Sequence, residues 1–230
     1  MIERKIVQQN FLNYSIAEFL RRESGDVAID RTIFEKTPLG ERVTIYTSTP
    51  GLVIGREGSN IKKLTLALKK EFNFENPQIK IGEVKNPNLS ASIVAKVIAN
   101  SLSRFGSQKF KLTGFKALSG VMYAGALGVE IRITGKLPSS RSKSWRFHKG
   151  YLKKTGYVSD FLVDKAIESV TLKTGVVGIQ VMIMLPDTPL PDKIEYIEIP
   201  TTVEETEKEI ISEKEEVVEG KEKVKTEVEE

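Results

Sequence analysis

The chain has no cysteine and a single histidine, His148. Without thiols there can be no disulfide, no thiolate zinc site, no iron–sulfur cluster and no cysteine nucleophile. One histidine rules out a histidine-rich metal site. The lack of cysteine also fits a reducing compartment. Long hydrophobic runs are missing too. The longest apolar stretch, Val176 to Leu185, holds ten residues and includes Gly178 and Gln180, too short to span a bilayer. The opening Met1-Ile2-Glu3-Arg4-Lys5 lacks the cationic-then-apolar layout of a signal peptide. These gaps point to a soluble, internal protein with no metal, no cofactor and no membrane partner. Its 230 residues, 40% of them hydrophobic, suffice for one large domain or two of ordinary size.

Acid is unevenly scarce. The net charge of +4 averages three regions: residues 84–159 carry +13, residues 201–230 carry −7, and the remainder carries −2. Between residues 84 and 159 the only acid is Glu130. A solvated surface normally intersperses both signs, whereas a one-sign field of this size is the footprint of a polyanion binder. The expected partner is nucleic acid.

Hydrophobic periodicity gives the organisation. Ile6–Arg22 reads as a helix, with Phe11, Leu12, Ile16, Phe19 and Leu20 at helical spacing. Val27–Phe34 and Val43–Thr47 read as strands, joined by a turn at Thr37–Gly40. After the short apolar turn Leu52-Val53-Ile54 comes a helix with Ile61, Leu64, Leu68 and Phe72 on one face, broken at Asn76-Pro77, then a strand over 78–84. Asn86-Pro87-Asn88 reads as a linker. Beyond it lie a helix over Leu89–Phe105, carried by Leu89, Ile93, Val97 and Leu102, and a second helix over Phe110–Tyr123. Gly125 is its expected C-terminal glycine. Val129–Thr134 alternates cleanly as a strand, Ser144–Lys153 could pair with it antiparallel, Phe161–Lys173 fits strand or helix, and Gly178–Leu185 reads as a central strand. The fold class is α+β, in two domains: residues 1–85 and residues 86–200, the second with two helices on an antiparallel sheet. Residues 201–230 form an acidic tail, expected to be disordered, with a lone solvated helix as the competing reading.

Gly-x-x-Gly occurs three times, at Gly55–Gly58, Gly125–Gly128 and Gly175–Gly178. The last two read as turn glycines. Only the first sits between an apolar turn and a basic amphipathic helix. Two glycines let backbone approach a phosphodiester chain. The following helix then aims its N-terminal N–H groups at the same phosphates. Arg56, Lys62 and Lys63 add charge there. A KH domain clamps single-stranded nucleic acid in this way.

Residues 1–85 resemble a type II KH domain. The second block resembles the C-terminal domain of the universal small-subunit ribosomal protein three. The resemblance rests on Ala124-Gly125-Ala126-Leu127-Gly128-Val129-Glu130, Ile133-Thr134-Gly135-Lys136-Leu137, and Ala166–Met184 with its Thr174-Gly175-Val176-Val177-Gly178-Ile179. Ser142-Lys143-Ser144-Trp145-Arg146-Phe147 and Met184-Leu185-Pro186 resemble the archaeal and eukaryotic branch. The resemblance implies a cytoplasmic structural protein in the head of the small ribosomal subunit. Its implied partners are ribosomal RNA, messenger RNA at the channel by which it enters, and neighbouring small-subunit proteins. The family often has paired arginines early in the second helix of its C-terminal domain. The matching positions are Lys111 and Leu112, with Lys116 one turn on; Leu112 departs from the pattern.

Residues 131–159 hold eight cations and no acid: Arg132, Lys136, Arg141, Lys143, Arg146, Lys149, Lys153 and Lys154. Trp145, Phe147, His148 and Tyr151 interleave with them. Aromatic rings can stack on bases while cations contact phosphates. Alternation alternatively puts Trp145 and Phe147 on a core face and Arg146 and His148 on the other. With Arg104, Lys109, Lys111 and Lys116, these cations complete the expected RNA-binding set begun by Gly55, Arg56, Gly58, Lys62 and Lys63. No nucleophile–base pair can be picked out, so no catalytic residue is expected. The competing classes are a free-standing KH-type RNA-binding regulator and a DNA lyase acting on abasic sites.

Overall fold

The computed structural model describes residues 2–37, 40–74, 76–191 and 194. The expected acidic tail lies outside them, as do Pro38 and Leu39 of the expected first turn. Residues up to Thr188 form one compact unit containing two sheets, each with its own core.

The first half runs α1 (Ile2–Glu23), β1 (Ile29–Thr37), β2 (Gly40–Thr47), α2 (Pro50–Ile54), α3 (Ser59–Phe72) and β3 (Gln78–Glu83). β1 pairs antiparallel with β2, and β2 pairs parallel with β3. A parallel pair needs a crossover, which α2 and α3 supply. Ile16, Phe19 and Leu20 of α1 and Leu64 and Leu68 of α3 close over Val43 and Ile45 of β2. α1 starts four residues earlier than the periodicity suggested, and Phe11 is 71% exposed rather than buried. Only the C-terminal part of α1, from Leu12 onward, lies against the core. The short apolar turn at Leu52–Ile54 is helical, with Pro50 at its first position, where a missing N–H costs nothing. α3 ends at Phe72 because Asn73 turns left-handed at φ 53, before Asn76-Pro77 is reached.

The second half runs α4 (Ala91–Phe105), α5 (Phe110–Tyr123), β4 (Gly128–Gly135), β5 (Lys143–Gly150), β6 (Val163–Leu172) and β7 (Gly175–Met184). The strands form one antiparallel sheet in the order β5-β4-β7-β6. β7 is central, as its apolar, β-branched composition implied. The ambiguous stretch from Phe161 resolves into a turn and then a strand. β5 stops at Gly150 rather than Lys153. α4 begins at Ala91, capped by the Ser90 hydroxyl accepting from the Ile93 amide, so Leu89 precedes it. Ile93 and Leu102 are buried as their spacing implied, but Val97 is 53% exposed, and Ala91, Ala95, Ile98 and Ala99 complete the buried face. Ile131 and Ile133 of β4, Phe147 of β5 and Val177, Ile179, Val181 and Ile183 of β7 share one core with both helices. The opposite sheet face carries Glu130, Arg132, Arg146, His148 and Gln180, set by the two-residue side-chain period.

Candidate nucleic-acid interface

Between α2 and α3 the backbone makes the excursion that the Gly-x-x-Gly pattern anticipated. Gly55, Glu57 and Gly58 all have positive φ, at 72, 54 and 73. Asn60 closes the loop by donating from Nδ2 to the Leu52 carbonyl at 3.0 Å. Gly55 has no room for a side chain, since a Cβ would lie 2.7 Å from Asn60 Cγ, whereas nothing lies within 4 Å of the corresponding point at Gly58. The second glycine therefore faces open space, and a left-handed residue is needed only for the turn itself. Arg56, Lys62 and Lys63 are exposed around this turn. α3 starts at Ser59, directly after Gly58, and no side chain caps its first amides. The arrangement can hold a phosphodiester chain by backbone approach, helix dipole and mobile charge.

In the second half, α4 and α5 leave a groove of about 480 Å³ between them. Val97, Phe105 and Leu112 give it an apolar lining, and Lys109 and Lys116 stand at its edge. Lys109 lies over the Phe105 ring at 5.1 Å, and Lys111 over Trp145 at the same distance. Trp145 is held from behind: its Nε1 donates to the Leu137 carbonyl at 3.2 Å, and its ring packs on Phe110. Phe147 packs edge-on against Phe115. Trp145 and Phe147 are thus core residues under α5, while Arg146 and His148 are exposed on the other face.

That other face has a buried carboxylate. Glu130 is 1% exposed and meets Arg132 at 3.1 Å, Arg146 at 3.1 Å and Lys154 at 2.5 Å. Burial pushes its carboxyl up. Hydrogen bonding and charge from Lys154, then the charge of Arg146 and a hydrogen bond from Arg132, outweigh burial and hold it below its ordinary value. Two glycines make the Lys154 contact possible. A Cβ on Gly128 would lie 2.0 Å from the Tyr151 carbonyl oxygen, and one on Gly150, at φ 78, would lie 2.3 Å from the Leu127 carbonyl oxygen. Their absence lets residues 151–154 fold back across the start of β4. Gly128, read from the sequence as a turn glycine, serves this close approach.

Among the described residues, no group of histidine, aspartate and glutamate is placed to hold a metal ion. No described helix is long and apolar enough to cross a membrane.

Comparison with known proteins covers both halves. The KH domain model matches residues 12–89, and the model for the C-terminal domain of ribosomal protein S3 matches residues 98–183. Small ribosomal subunit protein uS3 of Methanocaldococcus jannaschii is 42% identical over 208 residues, 89% of this chain and 99% of that protein. The chain belongs to the uS3 family. The uS3 proteins of Methanococcus maripaludis and Methanobrevibacter smithii are each 41% identical, over 84% and 86% of this chain and 91% and 78% of their own lengths.

Within this uS3 chain the expected RNA-binding cations fall on several elements. Arg56, Lys62 and Lys63 gather at the KH loop. Arg104, Lys109, Lys111 and Lys116 belong to α4, α5 and the turn between them. Arg132, Arg146 and Lys154 gather around Glu130 on the open sheet face. Lys136 and Arg141 lie in the β4–β5 connection, and Lys143 and Lys149 share the Trp145–Phe147 side of β5. Lys153 lies within the segment that folds back over β4. What sequence reasoning missed is Glu130 as an organiser. The signal was present: one acid in a 76-residue basic stretch, two positions from Arg132 in an alternating strand.

Proposed function

We propose that this protein is a structural constituent of the small ribosomal subunit, working in the cytoplasm by holding ribosomal RNA rather than by transforming a substrate. The observation that carries the reading is the pairing, in one chain and in order, of a KH domain with a ribosomal protein S3 C-terminal domain, matched along nearly the full length of a uS3 protein. Neighbouring small-subunit proteins are the other implied partners. In this reading the KH loop clamps one RNA segment through Gly55, Arg56, Gly58, Lys62 and Lys63. The second half neutralises phosphates through Arg104, Lys109, Lys111, Lys116, Arg132, Lys136, Arg141, Lys143, Arg146, Lys149, Lys153 and Lys154. The finer assignment, that the α4–α5 side lines the channel by which messenger RNA enters, is supported by exposed Lys109, Lys111 and Lys116 beside a groove with stacking surface.

Co-sedimentation tests the reading. The full chain should travel with small subunits through a low-salt gradient and leave them as salt rises. A chain that binds RNA yet never joins the subunit would instead be a free-standing KH regulator. Borohydride trapping on abasic DNA should yield no adduct; an adduct would show a lysine amine attacking the sugar, as lyase chemistry requires.

A further inference from the structure

Arg132 and Arg146 stand directly opposite each other across β4 and β5, a placement that repels. A surface meant only to be positive would not bury an acid between them, and a carboxylate 1% exposed is expensive to desolvate unless it is paired. Glu130 solves the local conflict by drawing both guanidiniums and the Lys154 ammonium onto one point. It leaves a surplus, because three cations face one anion. Each guanidinium reaches Glu130 through Nη2, one corner of a fork with five N–H donors. Arg132, Arg146 and Lys154 keep 42%, 46% and 46% of their side-chain surface in water. The result is a set of outward donors with a residual charge of +2, fixed in position before any ligand arrives.

From this geometry we propose that Glu130 is a positioning residue, and that Arg132, Arg146 and Lys154 form a preformed cradle for one phosphodiester group on the open face of the second sheet. Free arginine and lysine side chains lose rotamer freedom when they grip a phosphate. Here Glu130 has already taken that freedom away, so binding costs less ordering. Planar forks suit the two oxygens of a phosphodiester better than ammonium groups do. The fold supports the arrangement from behind: Gly128 and Gly150 admit the backbone that delivers Lys154, and Ile131, Ile133 and Phe147 lock the two strands from the core side. The inference rests on the RNA-binding reading above and narrows it to one site.

Its test turns on a sign. Glu130→Gln adds one positive charge to the chain. If the cluster acts by charge alone, a fluorescein-labelled RNA stem-loop should bind the variant more tightly in an anisotropy titration. If Glu130 positions the cations, binding should weaken about tenfold, the effect of losing one charge-assisted hydrogen bond. Titration of the isotope-labelled full chain with inorganic phosphate, at constant ionic strength, should shift the Nε–H resonances of Arg132 and Arg146 saturably. The same shifts should be weaker in Glu130→Gln. Arg146→Lys keeps the charge and removes a fork, so it should also weaken RNA binding, and it carries the test if Glu130→Gln does not fold. Unchanged or tighter RNA binding by these variants would overturn the proposal. So would silent Arg132 and Arg146 signals in a wild-type chain that binds RNA. A wild-type chain that fails to bind RNA would overturn the underlying reading instead.

Discussion

Ser90 donates its hydroxyl to the carboxylate of Asp30, sixty residues earlier in the chain. Ser90 is the N-cap of α4 and Asp30 lies on β1, so one hydrogen bond joins the start of the second half to the sheet of the first. The next amide, Ala91 N–H, donates to Asp164 Oδ2 on β6 at 2.7 Å. Two carboxylates from different sheets therefore meet at one helix N-terminus. Each is favoured by the helix dipole, and each disfavours the other.

Asp164 shows the cost. Burial raises its pKa above the ordinary 3.8, the Asp30 charge raises it further, and the Ala91 hydrogen bond opposes both. A carboxyl with a raised folded-state pKa favours folding when protonated. Its contribution is present below pH 3.8 and is lost as pH rises through the folded value. Asp164→Asn keeps an acceptor for Ala91 and cannot ionise. Its melting temperature relative to wild type should rise with pH, being highest near neutrality and declining toward pH 3.8. Thermal melts across that interval check it. A difference that does not change with pH refutes it.

Glu130 should behave in the opposite sense. Its pKa lies below the ordinary 4.5, so the ionised form favours folding. The contribution is present above pH 4.5 and disappears as pH falls through the lowered folded value. Glu130→Gln should cost about 1–3 kcal/mol near neutrality, between the values for exposed and buried pairs. The deficit should shrink in acid. Urea unfolding at neutral and acid pH separates this from a packing defect, which would persist at both.

Much of this was legible in the residues. α5 starts and stops where periodicity put it, and β4 is off by one residue at each end, because both have unbroken patterns and flanking glycines. Ile93 and Leu102 of α4 are buried as read, but Val97 was misread for a specific reason: Ala91, Ala95 and Ala99 face the core, letting the helix sit close to β6 and β7. Small residues give a weak hydrophobic signal beside Val97, which is larger and exposed. The exposure of Phe11 was hidden because periodicity reports a helical face, not whether a neighbour covers it. The grouping around Glu130 depends on β4–β5 register and on residues 151–154 folding back. Both are non-local, and no window along the chain displays them.

Two glycines within α5 should respond with opposite signs. Replacing a helical glycine by alanine normally stabilises by about 0.8–1 kcal/mol. At Gly120 nothing lies within 4 Å of the new methyl group, so Gly120→Ala should show that gain. At Gly114 the methyl would meet the Phe147 ring at 2.8 Å, and Phe147 is itself held by Phe115 and the sheet. Gly114→Ala should therefore destabilise by about 1–3 kcal/mol, the usual cost of overpacking. Denaturant midpoints of the two variants decide it. Equal stabilisation would mean that α5 is not seated on β5 as tightly as the structure indicates.

The KH loop allows charge and shape to be separated. Arg56, Lys62 and Lys63 are exposed, so replacing all three by alanine should leave folding nearly unchanged. If the three cations contact phosphates of a single strand, the slope of log affinity against log salt should flatten by about 2, at roughly 0.7 per phosphate. Wild type should show the steeper slope. Gly58→Ala changes no charge. Its φ of 73 costs an L-residue about 1–2 kcal/mol, so the loop should leave its clamping shape. Affinity for a single-stranded oligonucleotide should then fall with the salt slope nearly unaltered. Parallel titrations at several salt concentrations distinguish the two. If the triple variant keeps the wild-type slope, the cations of this loop do not touch phosphate, and the clamp must be sought in the second half of the chain.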